Sequence, residues 1–147
     1  MTTIDDAIAT LNHLVETCRD GEQGFRTAAA SVRSAQLKQL FERYAEQRAR
    51  FTSELQAAVH ALGGRPEDAG SIAGAVHRGW MNVKSAVTGA DDVSVVAAAE
   101  TGEDSAVSAY ERALTGGLPD AVQPLVARQL AEVRAAHDRL RDLKRAA

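Results

Sequence analysis

Residues 4–32 read IDDAIATLNHLVETCRDGEQGFRTAAASV. Apolar residues recur at Ile4, Ile8, Leu11, Val15 and Cys18, then at Phe25, Ala29 and Val32. The steps alternate between four and three, the rhythm of a helix that presents a continuous seam to partner helices. One seam position is filled by an acid, Glu22, set between Gly21 and Gly24. Each glycine costs a helix about 1 kcal/mol relative to alanine. A carboxylate on the buried side of a helix needs a partner, so this stretch predicts both a bundle and a polar feature within it.

The same rhythm extends along the chain. Thr2 or Thr3 can cap a first helix over about 3–32, with Asp5 and Asp6 in its first turn. A second helix is expected from Ser34 to Leu62, closed by Gly63-Gly64 and Pro66. Its seam is Leu37, Phe41, Tyr44, Arg48, Phe51, Leu55, Val59 and Leu62, and Arg48 lies near its centre. A shorter amphipathic helix, about 66–87, presents Ile72, Val76, Trp80, Val83 and Val87 before Thr88-Gly89-Ala90 breaks it. The third long helix starts near Asp91 and ends at Gly116-Gly117. Its expected core face is Val93, Val96, Glu100, Glu103, Val107 and Leu114, with Tyr110 on the flank. The fourth begins between Pro119 and Pro124 and runs to about Lys144, with Val122, Leu125, Val126, Gln129, Val133, Ala136, Leu140 and Leu143 inward.

Composition agrees with an all-α chain. Of 147 residues, 45% are apolar but only 4% aromatic, a balance that favours alanine-rich helix packing over a sheet. The expectation is one domain over residues 1–147: a four-helix bundle with a short extra helix in the long crossover between helices two and three. One such crossover is the topology of ferritin-like folds. A net charge of −3 gives no basic footprint for nucleic acid. No window is apolar enough to span a membrane, and MTTIDDAIATL lacks the basic and apolar regions of a signal peptide, so the reading is cytoplasmic. The lone Cys18 rules out an intramolecular disulfide and a cysteine-based zinc cluster, and it reads as a buried, inert thiol.

Each long helix places a polar group in its seam near mid-length: Glu22, Arg48, Glu100 with Glu103, and Gln129. Aligned, these would form one buried polar layer. Dimetal carboxylate bundles use this place for their ligands, a Glu from each of two helices and a Glu-x-x-His from each of the other two. Here Arg48 and Phe51 stand where the second helix would supply such a pair, and arginine cannot ligate a metal. Two readings result. One is an ion-pair network centred on Arg48 that fixes the bundle's register. The other is a reduced iron or manganese site drawn from Glu22, Glu100, Glu103, Gln129 and Glu132. His77 and Trp80 on the crossover read as a surface or hydrogen-bonding histidine and a packing ring. His13 and His60 read as solvated, and His137 lies at the stripe boundary.

HRGWMNVKSAVTG (77–89), AETGEDSAVSAYERAL (99–114), LPDAVQPLVARQLAEVRAAHDRL (118–140) and ELQAAVHALGG (54–64) resemble a bacterial family of ferritin-like four-helix-bundle proteins of unknown function. The resemblance covers nearly the whole chain and implies a soluble bacterial bundle associated with stress proteins. Within the wider ferritin and rubrerythrin superfamily it makes Glu22 look like a first-helix ligand, Glu100 or Glu103 like a third-helix ligand, and Gln129 like a fourth-helix group. The expectation is a non-catalytic, or at most metal-binding, self-associating (dimeric) protein without a resident cofactor. The alternative is a divergent non-haem dimetal oxidoreductase or iron-binding protein.

Overall fold

A computed structural model describes residues 3–66 and 91–146, which form four helices: α1 (Ile4–Ser31), α2 (Ala35–Ala61), α3 (Asp92–Thr115) and α4 (Gln123–Ala146). The expected crossover helix, with His77 and Trp80, lies outside the described residues. The helix starts follow from their caps. The Thr3 hydroxyl accepts from Asp6 N–H while the Asp6 carboxylate accepts from Thr3 N–H, a reciprocal capping box. Ser34 and Asp91 cap α2 and α3 through single bonds to Leu37 and Ser94 N–H. Gly63 and Gly117, at φ +86° and +85°, take the left-handed conformation that lets the chain leave α2 and α3. No helix among the described residues is long and apolar enough to cross a membrane.

α1 packs along α2 and α3, and α3 packs along α4, while α2 keeps its backbone farther from both α3 and α4. The apolar interior falls into two halves. One gathers Leu11, Leu14, Phe51, Leu55, Val126 and Val133. The other gathers Phe25, Phe41, Val95, Ala99 and Leu140. The division lies where α2 carries Arg48 and α3 carries Glu103.

The buried line of α1 is Ala7, Leu11, Leu14, Cys18, Gly21, Phe25 and Ala28. This line also steps by four and three and keeps Leu11, Cys18 and Phe25 of the seam that the large apolar residues suggest. It takes Ala7, Leu14, Gly21 and Ala28 in place of Ile8, Val15, Glu22 and Ala29, a turn of about 50°. Ile4 is 50% exposed as a result. α3 shows the same rotation: Ala99, Glu103, Ala106, Tyr110 and Ala113 face inward, while Val93 is 41% exposed. Tyr110 is therefore fully buried and not on the flank. The cause is steric, because alanine and glycine on the facing lines let the backbones approach closely, whereas a line of isoleucine and valine would hold them apart.

Close approach also governs Gly64. A Cβ there would stand 2.8 Å from both Cδ1 and Cγ2 of Ile8 on α1, inside any tolerable contact. Gly64→Ala is expected to lower stability in urea unfolding by about 1–3 kcal/mol, and a second change, Ile8→Ala, should recover part of that loss by removing the obstructing atoms.

Candidate functional site

Arg48 and Glu103 are buried, at 1% and 0% exposure. The guanidinium donates from Nη1 to Glu103 Oε1 at 2.6 Å and from Nη2 to Oε2 at 2.5 Å, a two-pronged pair that engages both carboxylate oxygens. Its Nε donates to Gln47 Oε1 at 3.3 Å. Its central carbon lies 5.3 Å from the centroid of the Phe25 ring, within range of a cation–π contact. On α1 the head is bordered by Gly21, where an added Cβ would sit 3.3 Å from Nη1. Gly21 is thus a notch cut for the arginine. Burial works against the charge on Arg48, but the charge and hydrogen bonds of Glu103 outweigh it and hold the guanidinium protonated.

A second polar group lies beside the pair. Tyr110 Oη donates to Gln129 Oε1 at 2.7 Å, and Gln129 Nε2 donates to Glu54 Oε1 at 3.0 Å and to Phe51 O at 3.4 Å. Cys18 Sγ is 3.1 Å from Tyr110 Oη. The tyrosine's single proton goes to Gln129, so the thiol is the donor to its oxygen. Burial pushes the Cys18 thiol up to about 11, with Arg48 pulling the other way, so it stays un-ionised and inert. Burial likewise raises Tyr110 well above the ordinary range for a phenol. The chain Cys18–Tyr110–Gln129–Glu54 joins all four helices and reaches the surface at Glu54, which also pairs with Arg128 at 2.9 Å.

The residues expected in one layer therefore divide. Arg48 and Glu103 meet. Gln129 is fully buried but serves Tyr110 and Glu54. Glu100 points toward α4, where its Oε1 accepts from Lys144 Nζ and its Oε2 is 3.7 Å from His137 Nε2. Glu22 is not in the interior. It sits at the side of α1 and pairs with Arg26 one turn on, at 2.7 Å, because the inward position belongs to Gly21 and the arginine head fills the space beside it. Glu132 is on the surface, 3.7 Å from Arg128. This donor set does not fit a metal pair. Both oxygens of Glu103 serve a guanidinium, the oxygen of Gln129 serves Tyr110, and a fixed cation occupies the centre. Among the described residues no three His, Cys, Asp or Glu side chains are grouped to hold a metal ion. Sequence reasoning placed Tyr110 outside the core and gave Cys18 no polar partner. The available signal was the i, i+7 spacing of Glu103 and Tyr110, which puts the two on one face of α3.

On the α3–α4 side, His137 Nε2 is 2.6 Å from Asp104 Oδ1 and Nδ1 is 3.1 Å from Asp138 Oδ1. Partial burial disfavours its charged form, but the bonds to Asp138 and Asp104 and the charge of Glu100 outweigh this and raise its pKa.

The chain belongs to the family described as a domain of unknown function (DUF2383), which matches residues 6–116. The match takes in Cys18, Gly21, Arg48, Glu103 and Tyr110 and ends before α4. No curated protein gives a significant match.

Removing one partner of the pair should be far worse than removing both. Arg48→Ala is expected to cost about 3–5 kcal/mol in urea unfolding, whereas Arg48→Met with Glu103→Leu should be near neutral or stabilising. Gly21→Ala should destabilise the wild type by crowding a clamped guanidinium, yet stabilise the double variant by up to about 1 kcal/mol through helix propensity. A histidine with a raised folded pKa stabilises fully below its unfolded pKa, and that contribution is lost as pH rises through the folded value. The urea midpoint should accordingly fall as pH is raised above about 6.5, and His137→Gln should remove that part of the slope.

Proposed function

We propose that this protein is a non-catalytic bundle of the ferritin-like kind in which an internal salt bridge takes the place that a metal pair holds in dimetal members. Its role is then structural: a stress-associated bacterial protein that acts by self-association or by binding a protein partner, not by turning over a substrate. The observation that carries this reading is the two-pronged Arg48–Glu103 pair at the centre of the bundle. A permanent cation there repels a metal ion, and the acid that would be a third-helix ligand has no free oxygen to offer. The one crossover implied by two helices, a long connection and two more helices supports the ferritin-like comparison, and so does the placing of a polar layer at mid-height. The raised thiol pKa and full burial of Cys18 disfavour it as a nucleophile.

The test is metal analysis of the protein purified without chelator, then loaded with excess Fe(II) or Mn(II) and desalted. The expected result is less than about 0.1 metal per chain, with no change in thermal midpoint on loading, since a ligand that binds only the folded state must raise it. Stoichiometric iron or manganese in the wild type would overturn the proposal in favour of a divergent dimetal oxidoreductase or iron-binding protein.

A further inference from the structure

A groove lies far from the buried pair, where the N-terminal halves of α2 and α3 face the C-terminal half of α4. It holds about 450 Å³, within the roughly 300–1,000 Å³ of small-molecule clefts. Its floor is apolar, built from Leu37 and Leu40 of α2, Val93 and Val96 of α3 and Leu143 of α4. Val93 leaves 41% of its surface exposed there. The groove lies between α2 and α4, whose backbones stay apart, while farther along the bundle Glu54 bridges to Gln129 and Arg128.

Its walls carry two cations and one acid. Arg43 from α2 and Arg139 from α4 both line it, and among the described residues neither has a hydrogen bond or an ion pair. The acid in the lining, Asp92, is already engaged, since its two oxygens accept from Arg33 N–H at 2.8 Å and Ser34 N–H at 3.0 Å in the turn between α1 and α2. The first turns of α2 and α3 border the same end and add their positive dipole ends. Two guanidinium forks over an apolar trough, neither paired among the described residues, suit an anion with an apolar tail, and the planar group that each fork matches is a carboxylate.

We propose that this groove binds a linear monocarboxylate, its headgroup held between Arg43 and Arg139 and its alkyl chain laid along Leu37, Leu40, Val96 and Leu143. Apolar burial supplies the affinity for the chain, and the two arginines select the charged end. The site is independent of the buried ion pair, so it stands or falls separately from the metal question.

The test is titration of methyl-labelled full-length protein with decanoate below its micellar range, with decanol and acetate as controls. Saturable one-to-one shifts are expected at Leu40, Val96 and Leu143, with decanol and acetate each weaker than decanoate by about tenfold or more. Arg43→Gln with Arg139→Gln should cost a similar factor while leaving the urea midpoint unchanged, because both side chains are exposed. Equal binding of decanol, or undiminished decanoate binding by the double variant, would overturn the carboxylate assignment. Absence of saturable shifts would remove the site altogether. The same methyl shifts appearing on concentrating the protein alone, with dimer formation, would reassign the groove to a second copy of this chain.

Discussion

A charge buried in a helical bundle has to be answered by another group at one height and on one side, and that requirement sets the register of this molecule. Taking Arg48 and Glu103 out of water costs several kcal/mol for each ion, and the cost is offset only if both prongs of the fork are made. The helices can slide or rotate past one another only by breaking that geometry. The features around it follow from the same demand. Gly21 clears space on α1, Phe25 offers its ring face, and the apolar interior parts into two halves on either side of the pair. Because the backbones of α2 and α3 stay apart, only long side chains can meet between them. An arginine and a glutamate supply that reach.

An apolar pair of the same volume would stabilise the bundle as well or better. What it would not do is discriminate between registers, since a methionine on α2 packs acceptably against any alanine or leucine one turn up or down. The alanine-rich lines of α1 and α3 make such slippage a real alternative, because Ala28 and Ala29 or Ala106 and Ala109 differ little as packing surfaces. A single buried fork with one acceptable partner removes the degeneracy at one stroke. This parallels the use of a lone polar residue to fix register in a coiled coil.

The four long helices, their order and their ends were legible in the sequence, because caps such as Ser34 and closing glycines such as Gly63 act locally and do not depend on the rest of the fold. The charge in the seam of α2 was legible too. Its partner was not, since Glu22, Glu100, Glu103 and Glu132 all fall on or near an inward line within one helical turn of error. Choosing among them needed the rotation of each helix, and the large apolar residues misled on that point. In α1 the line through Ile4, Ile8 and Glu22 and the line through Ala7, Leu11 and Gly21 share the same period. Hydrophobicity favours the first, but steric closeness selects the second, and because both lines pass through Leu11, Cys18 and Phe25 the difference is half a residue step, or about 50°. That rotation sends Glu22 out to Arg26 and leaves Glu103 as the acid that Arg48 meets.

The polar chain from Cys18 to Glu54 completes what the ion pair begins. The pair ties α2 to α3, α1 is held by packing on both and α4 by packing along α3, but none of these joins α4 to α2. Gln129 does that, since its amide is the one group in α4 that can satisfy the buried Tyr110 hydroxyl and at the same time reach the backbone oxygen of Phe51 and the carboxylate of Glu54 on α2. An amide is suited to the task because it accepts on one side and donates on the other without carrying a charge into the core. α2 and α4 are therefore joined by polar side chains at one height, which is why the bundle can be rigid around its buried pair while a groove lined by Arg43 and Arg139 lies between these two helices toward one end.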